Sequence, residues 1–328
     1  MHFLSLPDKR LLEELQNDIP LVSHPFGVIA QKLTVSEEAV LEIIKNLYSE
    51  KIIRNISAII NARKIGFRSA LVAVKAGQNQ IEDLSRRINA HPCVSHNYLR
   101  NHTYSIWFTL TAAGNKNLTE EAGHLLYSGN KNMPEYLLLQ TIRTFKIGVN
   151  FRFSQKKYDN DNNKTPDDGS IIELSPTDKQ VLNKLQDDLG IVSCPWKEVA
   201  SSIHISEELL FERIRYLKKS GVVRRISATI NHRKAGILFN AMCCYKIAEE
   251  QIISAGMKIS EHPQVTHCYQ RNTVQGKWEY PLFAMVHAES GKESEDIALL
   301  LAQQINCTDY LVLHSERELK KERVRFEI

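Results

Sequence analysis

The sequence predicts an α+β protein: a tandem repeat in which each copy is a winged helix-turn-helix followed by a ferredoxin-like (βαββαβ) domain. Three observations carry this. The chain repeats itself: Asp8-Lys9 matches Asp178-Lys179, Val22-Ser23-His24-Pro25 matches Val192-Ser193-Cys194-Pro195, and Ser36-Glu37-Glu38 matches Ser206-Glu207-Glu208. Ile56-Ser57-Ala58 likewise matches Ile226-Ser227-Ala228. Each copy then moves from apolar residues at helical spacing to alternating strand and helix patterns. Between the copies, Asp159 to Ser170 holds no apolar residue and many turn formers, which reads as a flexible linker.

The expected boundaries follow. Residues 1–62 form a winged helix-turn-helix, 63–157 a ferredoxin-like domain and 158–172 the linker. Residues 173–232 form a second winged helix-turn-helix and 233–328 a second ferredoxin-like domain. The two halves are expected to pack as an internal pseudo-dimer.

In the first copy, Asp8 to Asp18 carries Leu11, Leu12 and Leu15 on one helical face. A second helix starts after Ser23 with Pro25 in its first turn. A third starts at Ser36, an N-cap followed by two glutamates that suit the helix dipole, and buries Val40, Ile43, Ile44 and Leu47. Ile52 to Ile60 is rich in β-branched residues and predicts a two-stranded wing. The second copy repeats this from Thr177 to Ile230, with Gly221 closing its third helix. Strands are expected at Ala70–Val74, Val94–Arg100, Tyr104–Leu110 and Tyr136–Thr144. Helices are expected at Ile81–Ile88 and Leu118–Tyr127. This order puts helices on one sheet face and leaves the other free to pair.

Composition narrows the function classes. Of 328 residues, 43% are apolar and 24% charged, the profile of an ordinary globular chain. A net charge of +4 is too small to require nucleic acid. No apolar run approaches the roughly 18–20 residues of a membrane span, and Met1 to Pro7 lacks the pattern of a signal peptide. The six cysteines form no C-x-x-C pair, so zinc and iron–sulfur spacings are absent and no metal site is expected. Free thiols suit a reducing, cytoplasmic setting.

The stretch that carries chemistry occurs twice, as His96-Asn97-Tyr98-Leu99-Arg100-Asn101 and His267-Cys268-Tyr269-Gln270-Arg271-Asn272. Alternation in a strand puts His96, Tyr98 and Arg100 on one face, and likewise His267, Tyr269 and Arg271. A proton donor, a phenol and a fixed cation in a row suit an anionic ligand; a solvated sheet face is the alternative. Pairing the two sheets would bury these side chains and favour the ligand reading.

Other motifs add to this: Pro25-Phe26, Arg224-Arg225-Ile226-Ser227-Ala228 running to Asn231-His232-Arg233-Lys234-Ala235-Gly236, and Tyr104-Ser105-Ile106-Trp107-Phe108. The domain ends, Arg143 to Val149 and Glu318 to Arg325, belong to the same set of marks. In this order the motifs resemble the Lrp/AsnC superfamily, with a ligand domain of that type at 63–157 and 233–328. Within it they resemble the siroheme decarboxylases, with two subunit types fused in one chain.

The resemblance implies a carboxy-lyase that converts siroheme to 12,18-didecarboxysiroheme in haem d1 or alternative haem biosynthesis. It implies siroheme and didecarboxysiroheme as partners and no external cofactor, since the siroheme iron arrives with the substrate. His96 and His267 are then the general acids. Tyr98, Arg100, Tyr104, Trp107, Arg225, His232, Arg233, Tyr269 and Arg271 are the expected substrate-binding residues, arginines for carboxylates and aromatic faces for the macrocycle. His232, which has Ala62 as its counterpart, and Arg224-Arg225 lead to the expectation that the second-half site carries most of the catalysis.

Two alternatives use the same architecture: a DNA-binding regulator of the Lrp/AsnC type, and a haem sensor without turnover. Glu37-Glu38 and Glu207-Glu208 open the recognition helices and would repel phosphates, so DNA is an unlikely partner.

Overall fold

The computed structural model describes residues 4–127, 133–147, 170–231 and 239–328. In the first half these form α1 (Leu6–Gln16), α2 (Pro25–Leu33), α3 (Glu37–Ser49), β1 (Ile53–Ile60), β2 (Phe67–Val74), α4 (Ile81–Ala90), β3 (Val94–Arg100), β4 (Ile106–Ala113), α5 (Leu118–Leu126) and β5 (Tyr136–Ile147). The second half adds α6 (Pro176–Lys184), α7 (Pro195–Ser202), α8 (Glu207–Lys219), β6 (Val223–Ile230), β7 (Phe239–Tyr245), α9 (Ile252–Glu261), β8 (Val265–Arg271), β9 (Leu282–Ala288), α10 (Gly291–Gln304) and β10 (Tyr310–Lys321). Among the described residues no helix is long and apolar enough to cross a membrane.

These elements sort into two compact units that cut across the repeat. One holds Met1–Gly66, Asn150–Gly236 and Phe326–Ile328; the other holds Phe67–Val149 and Ile237–Arg325. Like segments of the two halves have therefore gathered together.

The repeated sequence marks of the helical unit are its caps. Asp8 and Asp178 are the third residues of capping boxes. The Asp8 backbone N–H donates to Ser5 Oγ at 3.3 Å, and Asp178 N–H to Ser175 Oγ at 3.1 Å. Ser36 and Ser206 cap α3 and α8 by accepting from the N–H groups of Ala39 and Leu209. Leu11, Leu15, Phe26, Ile44 and Leu47 share one core with Val181, Leu182, Trp196, Ile214 and Leu217. The C-terminal part of the expected linker is fixed here: Lys64 donates to Ser170 Oγ at 2.8 Å, and Ile172 N–H to the Lys64 carbonyl at 2.8 Å. Its remainder, 158–169, lies outside the described residues.

The wing differs from expectation. β1 does not form a two-stranded wing within its own half; it pairs antiparallel with β6, placing Ser57 opposite Ser227 and Ile53 opposite Ile230. The physical reason lies in the following residues. Ala62 to Ile65 form a 3-10 turn ending at Gly66, not a hairpin turn, so the open edge of β1 is satisfied by its repeat. Asp18 accepts from the Ile226 N–H at 2.8 Å and Asp188 from the Ile56 N–H at 2.7 Å, so each half pins the other's strand.

In the second unit eight strands close a barrel in the order β10-β3-β4-β2-β5-β8-β9-β7. Here too the structure corrects the expected pairing. The two four-stranded sheets meet at their edges, β5 against β8 and β10 against β3, and not only through their free faces. α4 and α5 cover one sheet over Val72, Val94, Phe108 and Leu110, while α9 and α10 cover the other over Cys243, Val265, Ala284 and Val286. The faces turned away from the helices enclose a third cluster, in which Leu71, Trp107, Leu139, Met242, Trp278 and Phe283 come from both halves.

Candidate active site

Alternation along β3 and β8 builds two rows. His96 and Tyr98 have ring centroids 6.4 Å apart, and the Arg100 guanidinium carbon lies 5.2 Å from the Tyr98 centroid. In the second row His267 and Tyr269 are 6.0 Å apart, with Arg271 at 5.0 Å from Tyr269. Tyr98 stands opposite Trp107 on β4, and Tyr269 opposite Phe283 on β9, so both rows face the shared interior. The arginines are almost wholly enclosed, 3% exposed at Arg100 and 7% at Arg271, while both histidines are half-buried.

Each arginine is fixed across a sheet junction. Arg100 Nη1 donates to the Leu313 carbonyl at 2.8 Å; Arg271 Nη1 donates to the Leu139 carbonyl at 3.0 Å and to Thr141 Oγ1 at 2.9 Å. The asparagine that follows completes the clamp, Asn101 Oδ1 accepting from the His314 N–H and Asn272 Oδ1 from the Gln140 N–H. The repeated Arg-Asn pair thus zips the two halves together. Neither guanidinium has a carboxylate partner among the described residues, and the Nε of each is buried without an acceptor there. Burial pulls both arginines down to about 10. Two desolvated cations without a carboxylate bonded to them among the described residues favour an anion beside them.

His287 is a residue that the sequence reading missed. It sits on β9 in line with Phe283 and Met285, opposite Asn240, and is 9% exposed. Burial is the first cause holding its imidazole down to about 3; the cationic groups of His267, Lys321 and Arg100 follow. It is therefore neutral at ordinary pH. The alternation Phe283-Met285-His287 was a readable signal for an inward residue. In the first half, Thr111 occupies its register.

The other expected residues fall as follows. Trp107 is 1% exposed and donates from Nε1 to the Tyr104 carbonyl at 2.6 Å; the Tyr104 hydroxyl donates to Glu135 at 3.2 Å. Tyr280 and Asp309 repeat that contact at 2.9 Å in the second half. Trp278 enters the interior from the segment preceding β9 and lies 5.2 Å from Trp107. Arg225 belongs to the helical unit, on β6 opposite Ile59, where burial lowers its guanidinium pKa. His232 and Arg233 lie outside the described residues. His91 and His262 are structural: their Nδ1 atoms accept the N–H groups of Cys93 and Gln264. Lys146 and Lys320 donate to carbonyls at the C-terminal ends of α9 and α4.

Comparison with known proteins decides the family. The profile described as the AsnC-like ligand binding domain matches residues 64–146 and 234–320, and that described as the siroheme decarboxylase NirDL-like HTH domain matches 8–54 and 178–224. The siroheme decarboxylase of Hydrogenobacter thermophilus is 35% identical over 97% of this chain and 94% of its own length. The chain belongs to the siroheme decarboxylase family.

Among siroheme decarboxylases both the fused and the separate forms align with it. The beta subunit from Methanosarcina barkeri is 40% identical over 46% of this chain and 99% of its own length. A crystal structure of the siroheme decarboxylase NirDL, in co-complex with an iron-uroporphyrin III analogue, superposes with a TM-score of 0.72. It is 31% identical and covers 98% of this chain and 94% of that one. The chain is thus a fused siroheme decarboxylase with two helix-turn-helix segments and two AsnC-like domains.

Proposed function

We propose that the chain removes carbon dioxide from two acetate side chains of siroheme, giving 12,18-didecarboxysiroheme, and that the His-Tyr-Arg rows of the barrel hold and protonate the macrocycle. The observation that carries this reading is the pair of buried guanidinium groups without carboxylate partners, each in line with an imidazole. Siroheme is a planar polycarboxylate, and its side chains supply the missing counter-charge. Tyr98, Tyr269, Tyr104 and Trp107 offer aromatic surface to the ring.

In each step one acetate carboxylate leaves as carbon dioxide, its bonding electrons pass to the adjacent carbon, and that carbon gains one proton. There is no net oxidation or reduction, so no external electron acceptor is consumed; iron arrives with the substrate. A pyrrole carbon protonated beforehand lets the ring accept the electrons; the exocyclic carbon is then protonated and the ring carbon gives its proton back, so each step takes up one proton net. His96 and His267 supply these protons.

The halves act as an internal pseudo-dimer in the cytoplasm, which suits the free Cys243, Cys244 and Cys268 thiols buried in the barrel unit. DNA is not a partner, because Glu37, Glu38, Glu207 and Glu208 open α3 and α8. The experiment is anaerobic incubation of the purified chain with siroheme and no other addition, followed by mass spectrometry. Loss of two carboxyl groups is expected; unchanged siroheme would overturn the proposal.

A further inference from the structure

In the helical unit the repeat brings two unlike residues together where like ones would meet. Val22-Ser23-His24-Pro25 and Val192-Ser193-Cys194-Pro195 are matching segments, so His24 and Cys194 are counterparts. Each is the N-cap of a helix that opens with proline, α2 and α7, and neither side chain caps its own helix. They turn towards each other instead, with Cys194 Sγ 3.6 Å from His24 Nε2. Counterparts also meet at Ser57 and Ser227 in the β1–β6 pair, so the repeat axis of this unit passes close to both places. Two identical subunits would set two imidazoles or two thiols here. The diverged halves of one chain bring a thiol to a base.

The imidazole is itself oriented. Its Nδ1 lies 3.6 Å from Glu37 Oε2, while Glu37 Oε1 is buried with no hydrogen-bond partner among the described residues. The carboxylate favours the tautomer with its proton on Nδ1, which leaves the Nε2 lone pair facing the sulfur. Glu207, the second carboxylate at this place, accepts from the Ser23 hydroxyl. The amide end of α7 adds a positive dipole beside the sulfur. Thiol, imidazole and carboxylate in this order make an activated nucleophile. Access is open, because the His24 side chain is 59% exposed and Cys194 is partly exposed, whereas Cys243, Cys244 and Cys268 are buried.

We propose that Cys194 is a modification site, at which His24 removes the thiol proton and the sulfur attacks a low-molecular-weight disulfide. A bond forms between Cys194 Sγ and one sulfur of that disulfide, the reagent's S–S bond breaks, and its second sulfur leaves as a thiolate. The departing thiolate takes the proton from the His24 imidazolium. Cys194 is thereby oxidised to a mixed disulfide and half of the reagent is reduced to a thiol; excess free thiol reverses the step. The site belongs to the helical unit, and its chemistry does not depend on siroheme.

The test treats the full chain with glutathione disulfide, stops the reaction with acid and maps the adducts by peptide mass. At neutral pH Cys194 is expected to react about tenfold or more faster than Cys93, the other partly exposed cysteine, since an unassisted thiol is only a few per cent thiolate there. His24→Gln should bring Cys194 down to the rate of Cys93. Alkaline pH should close the gap between that variant and wild type, because hydroxide then removes the proton without the imidazole; a change of packing alone would leave the gap open. Glu37→Gln should react at an intermediate rate. A wild-type Cys194 no faster than Cys93 would overturn the proposal, and this comparison stands whether or not the variants fold. So would a His24→Gln chain as fast as wild type at neutral pH, or a loss that alkaline pH does not relieve.

Discussion

Arg271 reaches across the junction between the halves to the carbonyl oxygen of Leu139, at 3.0 Å. Arg100 and Leu313 make the same contact at 2.8 Å on the opposite side of the repeat. These cations hold the barrel closed and also supply the positive charge of its interior. Replacing Arg271 by Leu should therefore destabilise the fold as well as weaken substrate binding. A buried carbonyl left without its donor costs about 1–3 kcal/mol. A fall of that size in urea-unfolding free energy is the expected result, and an unchanged midpoint would remove the clamp.

Backbone strain separates the repeats at a second place. Gly221, just past α8, has φ +77°, in the left-handed region where glycine is at ease; its first-half counterpart, Lys51, has φ +59°. The left-handed conformation costs a residue with a β-carbon roughly 1–2 kcal/mol, partly returned by the lower unfolded-state entropy of a non-glycine residue. Lys51→Gly should thus raise stability by about 0.5–1 kcal/mol, read as a higher urea midpoint at constant slope. A lower midpoint would contradict this.

Much of the fold was legible in the sequence because it is written in local pattern. Val94–Arg100 was expected as a strand and is one, and the alternation that put His96, Tyr98 and Arg100 on one face is seen in their stacked geometry. What the pattern does not encode is which edge meets which. Ile53–Ile60 has the composition of a strand, but its pairing with Val223–Ile230 is a long-range choice. The lining of the β3–β10 junction was hidden for a different reason. Irregularities between Ser315 and Arg317, and again between Glu318 and Lys320, break the two-residue period, so alternation from Tyr310 onward does not tell which tail residues turn inward.

Acid should act on the fold through His287. Its imidazole is held down to about 3 in the folded chain, against an ordinary 6.5, by burial first and then by His267, Lys321 and Arg100. Between those values the unfolded chain binds the extra proton and the folded chain does not. Stability therefore rises with pH across that window, and is lost as pH falls from 6.5 towards 3. His287→Thr, which installs the residue found at Thr111, should flatten the pH dependence of unfolding free energy in that window. An identical slope in the variant would show that His287 does not set it.

The two histidines should not contribute equally. The sequence-based expectation that the second site dominates rested on His232, outside the described residues, and on Arg224-Arg225, in the helical unit. Within the barrel a separate reason points the same way: His267 is bordered by Ile147 and Thr144, with neutral His287 on the adjoining strand, whereas His96 is bordered by Lys321 and Glu318. His267→Ala should therefore lower the decarboxylation rate by about 10²–10⁴-fold, the usual contribution of general acid catalysis. His96→Ala should mainly weaken binding, with a smaller loss of rate at saturation. Single-turnover reactions of both variants, resolved by mass and run on protein with native circular dichroism, separate these outcomes. Equal rate losses would remove the asymmetry, and a His267→Ala chain as fast as wild type would remove this imidazole as the proton donor.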